Sequence, residues 1–472
     1  MIDRRSRTMY RAALEAVPTE QGRGSCASRP VWPRRDVSGS TIRPMNGVLC
    51  VALIAAAGAV GMAAKDPQAA EPAREVGSHA MSDWPWWRGP TRDGVAPAGQ
   101  EPPLRWSDTE NVIWSHPIPG RGHGSPTVVG DQVFVAVADA ERNVQSVISF
   151  DRASGLHQWE TVVHQGELEK KGNSKTSLAS ASVACDGERL FVNFLHAGAV
   201  YVTALNRQGA QLWQQRLGEF QIHQGYGSSP TIYGRSVIVS ADHRGTGLIA
   251  ALDRATGERL WRHDRPAKAN YVSPILLHAA GRDQLVLCGC DLVTGLDPVT
   301  GQQLWEIEGS TTECVTSAVT DGQRVFVSGG YPRNHVSAVR ADGSGKIDWE
   351  NNARVYVPSM VVKDGYLYAV LDAGVATCWE SATGREIWKA RLSGTFSSSL
   401  VLVGDKLFAT SEAGRTTIFR ADPTRFELLA ENQLGDECFA TPAICGDRIY
   451  HRVARQVDGK RQEFLYCLGA KQ

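Results

Sequence analysis

From residue 112 to the C-terminal region, large apolar residues fall at every second position in short runs. Asp131-Gln-Val-Phe134-Val, Gly187-Glu-Arg-Leu-Phe191-Val and Gly365-Tyr-Leu-Tyr368-Ala are examples. A period of two is that of β-strands whose alternate side chains enter a core. Each run is preceded by a recurring phrase, Ser125-Pro126, Ser229-Pro230, Ser273-Pro274 and Thr441-Pro442.

Downstream of each run lies a second phrase. Three units read Asp151-Arg-Ala-Ser-Gly155, Asp253-Arg-Ala-Thr-Gly257 and Asp297-Pro-Val-Thr-Gly301, and Glu380-Ser-Ala-Thr-Gly384 is close to them. An acidic side chain that bonds back to the turn amides, followed by a glycine able to take positive φ, predicts a tight turn between two strands. Six glycines are followed four residues later by tryptophan, giving Trp159, Trp213, Trp261, Trp305, Trp349 and Trp388, spaced by 54, 48, 44, 44 and 39 residues. Each Trp falls on the strand after its turn, where its ring is placed to pack on the neighbouring unit.

A period of 40–50 residues predicts a radial repeat of four-stranded blades. Unit starts near Ser125, Ala181, Ser229, Ser273, Ser317, Ser359, Ser398 and Thr441 give eight. The seventh unit carries Leu428-Leu429 in place of Trp, and the eighth ends at Leu465-Tyr466-Cys467-Leu468 without a Trp strand. Val112-Ile-Trp114, 45 residues before Trp159, supplies it. The expected fold is therefore all-β, an eight-bladed propeller of four-stranded antiparallel blades closed by an N-terminal strand, which removes the open sheet edge. An open stack or sandwich of strands is the alternative.

These phrases resemble the pyrroloquinoline quinone (PQQ)-like β-propeller repeat, whose units carry an Asp-x-x-Thr-Gly-x-x-x-Trp docking motif. The resemblance covers about residues 84–468 and implies a docking role for Trp114 and the six tryptophans above. Trp84-Pro-Trp-Trp87-Arg-Gly-Pro90 resembles the Trp-Arg-Gly-Pro leader that precedes such propellers in planctomycete-type exported proteins. The repeat serves both quinone-dependent dehydrogenases and proteins without chemistry, so it implies a fold rather than an activity.

The chain divides into a basic segment at 1–44, disordered or upstream of the true start, a signal peptide or membrane anchor at 45–70, a linker and leader at 71–111, and the propeller at 112–472. The signal or anchor at 45–70 is read from an apolar run from Val48 to Ala64, followed by small-residue sites at Ala63-Ala64 and Ala69-Ala70. Pro, Ala and Glu enrichment predicts disorder over 65–83. Lys plus Arg and Asp plus Glu balance at 50 each, so no bulk field favours nucleic acid. Ten cysteines show neither a haem-attachment nor a zinc spacing, and Cys288-Gly-Cys290 reads as two same-face residues of one strand.

The loops entering the innermost strands ring one mouth of the central channel, and the candidate binding rim there is His123, Lys175, His223, Tyr226, Tyr271, Glu313 and Tyr356. Lys170, Gln224, Asn270, Phe396 and Glu437 fall in the same loops. Ordinary solvated loops are the alternative. No catalytic or metal-binding residue is assigned. His223, and His243 beside Asp242, are acid–base types without a nucleophile tied to them. Quinone-dependent alcohol dehydrogenases of the resembled family carry an adjacent Cys-Cys pair, a Glu, Asn and Asp calcium set and a catalytic Asp. No Cys-Cys occurs here, and no such set can be placed by motif. The expectation is an exported, non-enzymatic scaffold without a cofactor, binding an envelope protein or small ligand, in the manner of the propeller lipoprotein of the barrel-assembly machine. The alternative is a divergent oxidoreductase acting on alcohols or sugars with PQQ and calcium.

Overall fold

A computed structural model describes residues 79–169, 173 and 175–470. The expectations for 1–44, for the signal or anchor at 45–70 and for Lys170 lie outside those residues. Every regular element among the described residues is a strand, and the strands form eight four-stranded antiparallel sheets. The molecule is an eight-bladed β-propeller.

The first blade shows the pattern. Its strands are Thr127–Val129, Gln132–Asp139, Val144–Asp151 and His157–Gln165, paired in chain order from the channel outward. Gln132–Asp139 is buried throughout, because neighbouring blades cover both of its faces. The outermost strands keep the alternation. In Arg259–Arg265 only Trp261 and the terminal Arg265 are buried. The eighth blade joins Ala443–Cys445, Arg448–Val457 and Lys460–Leu468 to the N-terminal strand Val112–Ile118, with Trp114 opposite Cys467. One apolar cluster then runs through the closure, from Val133 and Phe150 to Phe408 and Tyr450.

A β-bulge aims the tryptophans. In all eight blades the pairing of the third and fourth strands shifts by one residue at the docking position, as where Ala251 faces Trp261 but Leu252 faces Arg259. Such an extra residue turns the strand locally and re-aims its side chain. The rings of Trp114, Trp159, Trp213, Trp261 and Trp349 lie over Gly155, Gly209, Gly257, Gly301 and Gly384 of the next blade's turn, and a Cβ at any of these would come under 3.0 Å from the ring. These glycines also hold φ of 70–88°. The indole N–H donates to a carbonyl of that turn at Arg152, Arg207, Arg254 and Ser381 for Trp114, Trp159, Trp213 and Trp349, and Trp388 reaches Asp422.

Trp305 departs from the expected docking role. Its indole folds over Gly295 of its own blade and donates to Gln284 at 2.6 Å, while the next turn's Gly345 meets Ile307 instead. Two further expectations need correction. Cys290 is not a strand residue: the strand Arg282–Gly289 ends before it, and Cys290 sits in the turn at φ 59°. The expectation of disorder over 65–83 fails at its described end, where Asp83 is buried and holds Arg152 at 3.1 Å and the Gly130 amide at 3.1 Å. The eight described cysteines are free and buried.

Candidate functional site

A Ser or Thr, followed by Pro in four of the eight blades, places a hydroxyl at the head of each innermost strand. The amides of Ser125, Ser182 and Ser229 donate to the hydroxyls of Ser182, Ser229 and Ser273, at 2.9 Å each. The series continues from Ser317 to Ser359, Ser359 to Ser399 and Ser399 to Thr441, and closes from Thr441 back to Ser125 at 3.1 Å. All eight residues are buried. A buried amide left unpaired is costly, so a hydroxyl is required where two blades meet at the axis. The second and seventh links fall at Ser182 and Ser399, one residue beyond the predicted unit starts.

Ser317 also receives the leader. Trp87 donates its indole N–H to Ser317 Oγ at 2.8 Å. Around it, the segment Trp84 to Ala96 stretches across one end of the channel. It pairs with Val128 in the first blade and Leu402 in the seventh, and gives the Pro85 carbonyl to Cys185 in the second. Arg92 donates to the Ile232 carbonyl of the third blade. Arg88, 1% exposed, donates to the carbonyls of Met360, Leu400 and Asp93, and burial pulls its guanidinium down to about 10. Gly94 is required beside it, because a Cβ there would strike the guanidinium.

With that end crossed, the channel becomes a one-ended cavity of about 660 Å³ with half-buried Trp87 on its floor. The structure brings all seven rim candidates, His123, Lys175, His223, Tyr226, Tyr271, Glu313 and Tyr356, to its wall. Gln224 and Phe396 line it too, whereas Glu437 turns to Arg121 and Arg461, and Asn270 is buried against Asp242 and Cys288. The sequence reading missed Trp87, Tyr331, Arg354, Asp372, Glu412 and Phe439. Tyr331, Asp372 and Glu412 follow the second strands of blades five to seven, and loops after second strands share the face of loops before first strands. That up-and-down order is the signal that could have found them.

The polar groups of the wall fall into three sets. Glu313, only 4% exposed, faces His223 Nδ1 at 3.2 Å and accepts from the Tyr356 hydroxyl at 3.3 Å, while Tyr271 meets the same His223 nitrogen at 3.0 Å. Burial, then the Glu313 charge, push both phenols above their ordinary range. Glu412 accepts from Lys175 at 2.8 Å, Ser397 at 2.7 Å and Thr395 at 3.1 Å. Burial pushes its carboxyl upward, but these donors overcome that and leave it below its usual value. Asp372 accepts the Tyr356 amide at 2.8 Å, and burial raises its carboxyl. Arg354 lies 5.2 Å from the centre of the Tyr356 ring.

His243 belongs to a turn rather than to this wall. Its Nδ1 accepts from the Gln221 and Gly245 amides, and Asp242 is bound by Arg265 and Asn270. Glu313, Glu412 and Asp372 each turn to separate protein donors, and no three His, Cys, Asp or Glu among the described residues converge as a metal cradle.

A propeller of this repeat type, with a one-ended cavity at its axis, defines the class of the molecule. A family model described as outer membrane protein assembly factor BamB matches residues 104–194, 145–390 and 332–425, and the chain belongs to that family. It is 27% identical over 288 residues to the outer membrane protein assembly factor BamB of Burkholderia pseudomallei, a match spanning 57% of this chain and 66% of that protein. The Bordetella pertussis protein of the same name is 24% identical, over 70% of this chain and 81% of its own length. The fold is similar to quinohemoprotein alcohol dehydrogenase of Comamonas testosteroni, with TM-score 0.61, 14% identity, and 83% and 81% of the two chains covered. It is similar also to BamB of Moraxella catarrhalis, with TM-score 0.54, 14% identity, and 75% and 99% covered.

Proposed function

We propose that this chain is an exported, non-enzymatic binding scaffold of the cell envelope whose working face is the mouth of the one-ended cavity. One observation carries this reading. Seven rim residues from the loops entering six different blades meet on a single cavity with a tryptophan floor, and its carboxylates are engaged by protein donors rather than gathered into a reactive centre. Relatives named as outer membrane protein assembly factors support the envelope setting and a partner there. The apolar run from Val48 to Ala64 supports export with cleavage, or anchoring at the N-terminus. No helix among the described residues is long and apolar enough to cross a membrane.

The test has two arms. Lys175→Glu with Arg354→Glu, two exposed rim positions, should reduce recovery of an envelope partner about tenfold while the melting temperature stays near the parent's. The second arm supplies PQQ, Ca²⁺ and a redox dye with alcohols or aldoses, and no turnover is expected. Dye reduction that needs PQQ and stops with chelator would replace the scaffold by the oxidoreductase.

A further inference from the structure

We infer that the axial cavity takes a small, neutral, polyhydroxylated ligand of the mono- or disaccharide class. This inference rests on the cavity mouth being the working face and adds what the ligand is. Three features of the wall select that chemistry.

The first is size and closure. About 660 Å³ lies within the ~300–1,000 Å³ usual for small-ligand sites. Because the leader crosses the far end, an extended peptide cannot thread the channel. The occupant has to end inside it.

The second is charge. Three carboxylates share the wall with two permanent cations and two imidazoles, His123 and His223. Glu313 is answered by His223, Glu412 by Lys175, and Asp372 feels the Arg354 charge. An anionic ligand would meet the three acids at close range. A cationic one would meet Lys175 and Arg354, and Arg354 already lies over the Tyr356 ring that would otherwise attract it. A charged ligand would have to compete with the Glu412–Lys175 pair and the Glu313–His223 contact for its partner. A neutral ligand leaves both in place.

The third is the mixture of surfaces. A carboxylate has about four acceptor sites. Glu313 spends two of them on His223 and Tyr356, so hydroxyl donors can take the others. Trp87 on the floor and Tyr271 on the wall offer flat apolar rings beside those acceptors. A sugar ring has this same pairing: an apolar C–H face, and hydroxyls around its edge that both donate and accept. Trp87 is fixed by Ser317, so its ring is set in place before any ligand arrives.

Saturation-transfer NMR on the full chain tests the assignment. The probes are glucose, galactose, N-acetylglucosamine, cellobiose and maltose, with choline and succinate as charged probes. Transfer is expected to at least one neutral sugar and to neither charged probe. It should fall at least fivefold in Trp87→Ala and in Glu313→Gln, and stay unchanged in Leu212→Ala on the outer rim. Trp87→Phe, which keeps a ring on the floor, should retain intermediate transfer and shows that loss in the alanine variant is not loss of fold. No sugar signal, a signal from choline or succinate alone, or a sugar signal that ignores both Trp87 and Glu313 would overturn the assignment. Partner recovery measured on the same preparations separates the two readings. If recovery persists and still depends on Lys175 and Arg354 without any sugar signal, the ligand class alone is wrong.

Discussion

At the residue scale, the hydroxyl ring gives the sharpest expectation. Ser229→Ala leaves the Ser182 amide buried and unpaired, and should cost about 1–3 kcal/mol in denaturant unfolding. Ser398 is the control. It is equally buried, but its hydroxyl has no partner, so Ser398→Ala should change stability by less than about 0.5 kcal/mol. Trp261→Ala should cost about 3–5 kcal/mol, as when a buried aromatic is cut to its Cβ. Trp379 lies outside the Gly-plus-four register, yet it is 2% exposed in the core between the fifth and sixth blades. Register therefore decides which partner a tryptophan meets, not whether it matters. Trp305 shows the limit from the other side. The Gly-plus-four spacing is present, but a glycine at 295 opens room on its own blade and Gln284 offers a nearer acceptor. Spacing carries neither of those facts.

At the element scale, the blades were readable because each repeats one set of turns, strands and hydroxyls, so eight weak signals reinforce one another. The leader occurs once. Its Trp, Arg and Gly residues could be noticed, but nothing in their spacing says that Trp84 pairs with Val128 or that Arg88 reaches three carbonyls. The candidate site was legible to the same degree. Loops ahead of first strands follow from the repeat, and they supplied His223, Tyr271, Glu313 and Tyr356. The leader supplied Trp87 and the loops after second strands supplied Tyr331, Asp372 and Glu412, while Arg354 and Phe439 stand in loops ahead of first strands and carry no repeat signal of their own. Arg88→Met should destabilise the chain by several kcal/mol, because it leaves the carbonyls of Met360 and Leu400 buried without donors. If thermal unfolding of that variant matches the parent's, the leader does not hold the ring.

At the scale of the whole molecule, closure makes the ring answer to acid as one unit. Burial lowers His164, His335 and His451 to about 4, with the His196 charge adding to the effect at His164. The unfolded chain binds a proton at each near pH 6.5. Between about pH 6.5 and 4 the unfolded state therefore holds more protons than the native state, and stability falls as pH falls, by up to about 1.4 kcal/mol per unit for each histidine. Unfolding in urea at pH 7, 5.5 and 4 should show that decline. A midpoint that is flat across this window would mean that the three imidazoles are protonated in the fold.

On the proposed reading, the mouth of this closed ring, and not its perimeter, meets the binding partner. The perimeter is a fair rival, since Leu156, Leu212, Val299 and Leu428 are all exposed there. Hydrogen exchange on the full chain, alone and with the partner recovered from the envelope, decides between them. Protection should rise in the amides around His223, Glu313, Tyr356 and Ser397 and remain unchanged along the outermost strands. Protection confined to the outer strands around Leu212 and Leu428, with the mouth exchanging as before, would contradict the account.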